Sequence, residues 1–363
     1  MSCSTIPFTL VMNRSVLHKS RQPDRASRVT IADIARRARV AKSSASYALN
    51  GRPGVGAATR QRVVDVAQAM GWRPNFAARA LSVARANAVG LVLAQPAEML
   101  GFNTFYLRFI AGLEGELSHH DLALLLRVVP NLEAEISVYQ QWAAEQRVDG
   151  VIVVDLRVRD PRIPATERLH LPAVIVGRPE GGVTPAVWPD DEAAMMSAVG
   201  YLVLLGHRRL ARVGQNPEFV YTRIRRAAFL RAVRKAGLAA EDCVDSKAHG
   251  EEATRALLRS VRPPTAIIYE DEGTAVSALA VAREMGVSIP HDLSIIGWDD
   301  SLLCQLVNPA LTALHRDIFA YGEACARHLV SLIQGDQVGG AQGTVTSLVV
   351  RASTAAPRTV AVP

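Results

Sequence analysis

The stretch VAKSSASYALNGRPGV, residues 40–55, decides how this chain is read. It is rich in small and hydroxyl residues, carries one Lys, and ends in a Gly51-Arg52-Pro53-Gly54 turn between Arg-rich flanks. Just upstream, Thr30-Ile31-Ala32-Asp33 reads as a capping box. The Thr30 hydroxyl can accept from the Asp33 amide, and a first-turn carboxylate suits the helix dipole. Ile31, Ile34, Ala35 and Ala38 then share one face of a helix two turns long. Arg39-Val40 makes a short turn, and a second helix follows over about residues 42–50. Its inward residues are Ala45, Ala48 and Leu49, while Ser43, Tyr47 and Asn50 form an outward stripe. A third helix spans about residues 57–70, with Val63, Val66 and Met70 inward. Three short helices with a tight turn between the first two make a helix-turn-helix.

A helix of small residues can lie close in the major groove of DNA. Ser44, Ser46 and Asn50 are short hydrogen-bonding groups suited to phosphates; Lys42, Ser43 and Tyr47 are long or polar enough to reach base edges. Thr30 and Thr59, at the starts of the first and third helices, join the candidate set. The same helices could instead form a bundle that only packs against a partner. Charge favours the polyanion. Of the net +7, residues 1–88 hold fifteen Lys and Arg against three Asp, a charge of +12, which leaves −5 for the rest.

With 363 residues, 49% of them apolar, the chain is long enough for two or three domains. No apolar run is long enough to predict a membrane span. Residues 6–12 are apolar but have neither a preceding basic region nor a clear cleavage site, so no secretory signal is expected. Cys3, Cys243, Cys304 and Cys325 form no C-x-x-C pair and suit a reducing cytoplasm. Nucleotide-binding, serine-hydrolase and zinc-protease motifs are missing; His119 and His120 point to different helix faces, and His207 sits in a basic turn. The expectation is a cytoplasmic non-enzyme with no cofactor and no metal.

From Ala88 onward, short apolar runs such as VGLVLA (89–94), GVIVVDL (150–156), PAVIVG (172–177), TAIIYE (265–270) and LSIIGW (293–298) alternate with amphipathic segments. LALLLRVV (122–129) is another such run. That alternation predicts an α/β body of buried parallel strands, roughly ten of them, in two doubly wound lobes. The expected organisation is a disordered basic arm over 1–28, the helix-turn-helix over 29–73, a linker over 74–85, the two-lobed body over 86–355 and a frayed tail over 356–363.

Residues 29–82 resemble the DNA-binding region of the lactose/galactose repressor (LacI/GalR) family. The similarity runs from VTIADIARRARVAKSSASYALN through the third helix to Trp72-Arg73-Pro74-Asn75-Phe76-Ala77-Ala78-Arg79-Ala80-Leu81. The resemblance implies that 74–82 is a hinge that becomes helical on the operator, with Asn75, Ala78 and Leu81 at DNA and Leu81 wedged into the minor groove. Three positions depart from the pattern. Ala41 replaces a Ser and loses a phosphate contact, Gly56 is a weaker cap, and Tyr47 stands where many relatives carry Arg or His.

The body resembles the family's periplasmic sugar-binding module, in YLVLLGHRRLARVG (201–214), RIRRAAF (223–229) and SIPHDLSIIGWDDS with NPALTAL. The resemblance places effector contacts at Phe105, Tyr106, Arg225, Asp271, Trp298 and Asp299. An Arg fork suits vicinal hydroxyls or carboxylates, an Asp accepts from hydroxyls, and an aromatic supplies an apolar platform. Asp271-Glu272 replaces the family's Asn-Asp pair and adds a carboxylate. The chain is thus expected to be a homodimeric repressor of palindromic double-stranded operator DNA, with a small-molecule effector, a sugar or related metabolite, between the lobes. A solute-binding protein would share the body but has no use for residues 40–55. A doubly wound enzyme would need a catalytic constellation that the sequence does not offer.

Overall fold

The computed structural model describes residues 29–72, 85–96, 104–179, 184–246, 248 and 250–358. It divides into two compact units, one up to Val83 and one from Ala84. The expectations for residues 1–28, for the linker up to residue 84, and for the tail beyond 358 lie outside the described residues.

The first unit holds α1 (Ile31–Ala38), α2 (Lys42–Leu49) and α3 (Ala57–Ala69). Ile34, Ala35, Ala38, Ala45, Ala48, Val63 and Ala67 form its core. Leu49, Val66 and Met70, expected to point inward, are only half-buried and lie against the edge of that core. Ala67 takes the inner place because three short helices approach closely only over small side chains.

In the second unit, the described strands make two six-stranded sheets. The first lobe contains β1 (Ala88–Ala94), α4 (Thr104–His119), β2 (Ala123–Val129), α5 (Leu132–Ala144), β3 (Gly150–Val153), α6 (Arg162–Arg168), β4 (Ala173–Val176) and β5 (Ala186–Trp188). The chain then enters the second lobe with α7 (Asp191–Leu204), β6 (Leu210–Val213), α8 (Val220–Lys235), β7 (Cys243–Ser246), α9 (Gly250–Leu258), β8 (Ala266–Tyr269), α10 (Glu272–Glu284), β9 (Ser294–Trp298), α11 (Leu302–Leu306) and β10 (Thr312–His315). It returns with α12 (Ile318–Gln334) and β11 (Ala341–Gln342), and crosses once more to β12 (Ser347–Val349). Sheet orders are β11-β5-β4-β3-β1-β2 and β12-β10-β9-β8-β6-β7.

Pairing is parallel, as the alternation of strands and helices predicts, except for the edge pair of β10 with β12. β12 arrives from the other lobe with no helical crossover behind it, so it can enter the edge in either sense. β2 also departs from its reading. Despite its LALLLRVV pattern it is an edge strand, and Leu126 is exposed. β1, β3, β4, β8 and β9, buried on both faces, read as the continuous apolar runs they are.

α7 packs in the core of the second lobe and α12 in that of the first. The chain therefore passes between lobes at residues 189–190, 316–317 and 343–346. α12 lies close on α4 because Gly112 and Gly322 meet at the crossing. A Cβ on Gly112 would collide with the Phe319 carbonyl, and one on Gly322 with that of Phe109. No helix among the described residues is long and apolar enough to cross a membrane.

Candidate functional site

In the first unit the Thr30 capping box forms as its spacing predicts. Asp33 N donates to Thr30 Oγ1 at 3.4 Å, and Thr30 N donates to the Asp33 carboxylate at 3.0 Å. The Thr30 hydroxyl also donates to that carboxylate, at 2.6 Å. These hydrogen bonds hold the exposed Asp33 carboxyl below its usual range. Arg39, in the left-handed region at φ 51°, ends α1 and turns the chain into α2. Neither Ala41 nor Gly56 supplies a side-chain cap, which for Gly56 is what its departure from the family pattern implies.

Lys42, Ser43 and Tyr47 are exposed on α2, while Ser44, Ser46 and Asn50 are half-buried along its margin. Asn50 Nδ2 donates to Ser46 Oγ at 3.4 Å. Lys42 sits in the first turn, where a cation opposes the helix dipole; an acceptor outside the chain would offset that cost. Thr59 is half-buried in the first turn of α3. Asn75, Ala78 and Leu81 lie outside the described residues. Sequence reasoning missed Arg60. Its guanidinium reaches from α3 to the carbonyls of Ala48 at 3.1 Å and Arg52 at 2.7 Å, satisfying orphan acceptors at the end of α2. A basic residue placed just after a Gly-rich turn was the available signal.

The second unit carries a cavity of about 410 Å³ between its lobes. Its walls are the segments that follow the carboxyl ends of β1, β3, β4, β6, β8, β9 and β10, where α/β folds bind ligands. All six residues singled out for the cleft line this one cavity: Phe105, Tyr106, Arg225, Asp271, Trp298 and Asp299.

Arg225, from α8, is buried and donates twice to Asp191 Oδ1, at 3.1 and 2.9 Å. Its guanidinium carbon lies 3.9 Å from the Trp298 ring centroid and 4.8 Å from that of Tyr221. Asp299 stands in the left-handed region at φ 64° and takes a two-pronged bond from Arg316, at 2.6 and 2.9 Å. Phe105 lies with its ring centroid 5.2 Å from the Arg316 guanidinium carbon. The Tyr106 hydroxyl donates to Asp155. Asp271, which the resemblance names as an effector contact, lines the cavity and is also tied to the protein. Its oxygens cap α10, accepting from Gly273 N at 3.1 Å and Thr274 N at 2.9 Å.

Asp155, Asp191, Glu270, Glu272 and Arg316 also line the cavity and were not anticipated. Each directly follows a strand or opens a helix, a placement that boundary errors of two residues hide. Arg162 positions Asp155 from behind: its guanidinium donates to the Asp155 carbonyl at 2.9 Å and to Glu135 and Asp160 at 2.6–3.1 Å. Burial pushes the Asp155 carboxyl up. Glu270 accepts from Arg212 Nε at 2.5 Å, yet burial pushes its carboxyl up to about 7. Glu272 accepts from Thr104 Oγ1 at 2.6 Å across the cleft, and burial raises its carboxyl too. On the other rim Arg157 pairs with Glu218 at 2.6 Å, and Val158 N donates to the Glu218 carbonyl at 3.0 Å.

Residues 30–75 match the model for bacterial regulatory proteins of the lacI family, and 199–354 match a periplasmic binding protein-like domain. The HTH-type transcriptional regulator AglR of Rhizobium meliloti (strain 1021) is 31% identical over 323 residues, covering 85% of this chain and 89% of the relative. The solved complex of the transcriptional regulator CelR with cellobiose is 26% identical with a TM-score of 0.69, over 90% of this chain and 100% of that one. The lac repressor dimer bound to operator and the anti-inducer ONPF, 24% identical, shares the fold with a TM-score of 0.78 over 91% of this chain and 100% of that one.

Proposed function

This chain belongs to the lacI family of bacterial regulatory proteins and is a DNA-binding transcriptional regulator, and from that premise we propose that it represses transcription as a cytoplasmic homodimer on a palindromic operator, under control of a sugar-like effector held between its lobes. A two-fold dimer matches two half-sites. Lys42, Ser43 and Tyr47 read base edges, while Ser44, Ser46, Asn50, Thr30 and Thr59 position the helices on the backbone. Asn75, Ala78 and Leu81 contact the operator, with Leu81 in the minor groove. Phe105, Tyr106, Arg225, Asp271, Trp298 and Asp299 hold the effector. The observation that carries this reading is the cleft: polar groups from both lobes converge on one cavity at the chain crossings. Exposed Leu302, Leu303 and Leu306 on α11 supply an apolar surface for a second copy.

A ligand that favours one lobe orientation also acts on the entry to the hinge. Arg316 lies at a crossing and at the cavity, and α12 follows it. At the far end of α12 the Ile333 carbonyl accepts from Arg85 at 3.2 Å, and Asp149 holds Ala86 N at 2.8 Å. Coupling between such sites is typically about 1–3 kcal/mol.

The test is selection of bound fragments from the source genome by the purified full chain, at two salt concentrations and with cell extract added. A palindromic site whose preference survives higher salt is expected. Sequence-blind, salt-sensitive binding in every condition would remove the base-reading role of α2 and leave a solute-binding body.

A further inference from the structure

The cleft is far more acidic than a neutral sugar requires. Seven carboxylates and two guanidiniums line it. Both guanidiniums are engaged within the wall, Arg316 on Asp299 and Arg225 on Asp191. An anionic ligand would therefore meet carboxylates rather than an open Arg fork.

The acidity is concentrated where β8 ends, in the consecutive Glu270, Asp271 and Glu272. The Asp271 oxygens are taken up by the start of α10. Glu270 is 2% exposed, and its Oε2 has no hydrogen-bond partner. Glu272 is 7% exposed and faces Thr104 of the other lobe. Two buried donors are also left over: Trp298 Nε1 and Gln95 Nε2. A buried polar atom without a partner is costly, so these atoms describe what the cavity lacks. It lacks a donor for the second oxygens of Glu270 and Glu272, whose first oxygens accept from Arg212 and Thr104, and acceptors beside Trp298 and Gln95.

A metal ion does not meet that description, because no three His, Cys, Asp or Glu side chains among the described residues are grouped to hold one. An ammonium does. It needs only a few oxygens at about 2.7–2.9 Å and gains from the surrounding negative field. An ammonium cannot accept, so the Trp298 and Gln95 donors call for hydroxyl oxygens in the same molecule. Resting on the reading of the cleft as the effector site, we propose that its ligand is an amine-bearing polyol of the amino-sugar kind, with the ammonium against Glu270 and Glu272 and hydroxyl oxygens on the N–H groups of Trp298 and Gln95.

The test titrates the full chain calorimetrically with matched series: glucosamine, N-acetylglucosamine, glucose and glucuronate; the galactose equivalents; and chitosan disaccharide against cellobiose. In at least one series the amine should bind about tenfold or more tightly than the neutral parent, with the acid weakest. N-acetylation, which removes the charge, should abolish that advantage without altering the protein. Glu272→Gln should reduce it, and Glu270→Gln should do so independently. The assignment is overturned if no amine binds in any series, if a neutral or acidic member binds as tightly as its amine, or if the advantage survives N-acetylation. Operator retention, measured in parallel, separates this inference from the reading beneath it. A neutral sugar that binds as tightly as its amine and shifts retention overturns the amine and leaves the effector reading standing. An amine that binds without shifting retention supports the inference and counts against the effector reading.

Discussion

Arg225 meets two demands with one side chain. Its fork neutralises the buried Asp191, and its flat face lies on Trp298 in the cavity wall. Arg225→Ala should therefore lose the ligand response and also strand Asp191. Breaking a buried pair costs about 3–5 kcal/mol. Urea unfolding should show that loss, while ligand-free operator affinity stays near normal in the folded fraction; an intact ligand response would remove Arg225 from the site. Glu270 carries a pH signature. Its carboxyl ordinarily titrates near 4.5 but is pushed up to about 7 in the fold by burial, against the lowering pull of Arg225 and Arg212. Between those values the folded chain keeps a proton that the unfolded chain has released. The contribution is present below pH 4.5 and is lost as pH rises through 7. Glu270→Gln cannot ionise, so its stability should fall about 2–3 kcal/mol less than the parent's between pH 5 and 8. Parallel unfolding curves for the two proteins would refute this. The resemblance to the family placed Arg225 in the cleft, but its pairing with Asp191 and the buried setting of Glu270 are not legible in the sequence, where Glu270 reads as a strand end.

Among the elements, α2 was the most legible, because its two faces repeat within eight residues and the tight turn before it is local. Lys42→Ala should relax preference at one operator position by about 1–3 kcal/mol. Binding selections with all four bases at each position would show it, and an unchanged profile would assign Lys42 to the backbone. The contact of α4 with α12 was not legible. Gly112 and Gly322 lie 210 positions apart in the chain and mean nothing until the helices meet. Gly322→Ala should force the pair apart and cost about 1–3 kcal/mol or more, since backbone stands in the way. Denaturant midpoints would report that change, and a neutral result would show that the helices can part freely. β2 misled for a related reason: an apolar run announces a strand but not whether another strand will cover it.

For the whole molecule, charge and compactness divide together. The basic segment belongs to the first unit, and the mildly acidic remainder, with its cleft, to the second. Removing residues 1–83 should abolish operator binding and leave affinity for a cleft ligand within about twofold, since sites without shared contacts behave additively. Filter retention and calorimetry on the same preparation would check both halves. Loss of ligand binding on truncation would show that the first unit helps to build the cleft.

The sequence by itself determined the helix-turn-helix and the alternation of strands and helices, while the residues first placed in the cleft came from the resemblance to the family. The helices and the alternation are written in local periodicity. Only the tertiary structure decided that β12 pairs antiparallel, that Asp271 caps α10, and that Asp155, Asp191, Glu270, Glu272 and Arg316 share one cavity with Arg225. Those residues come from segments separated by three chain crossings. Their common electrostatics exists only after the crossings close, because interaction between charges depends on distance in space and on burial, neither of which sequence order records.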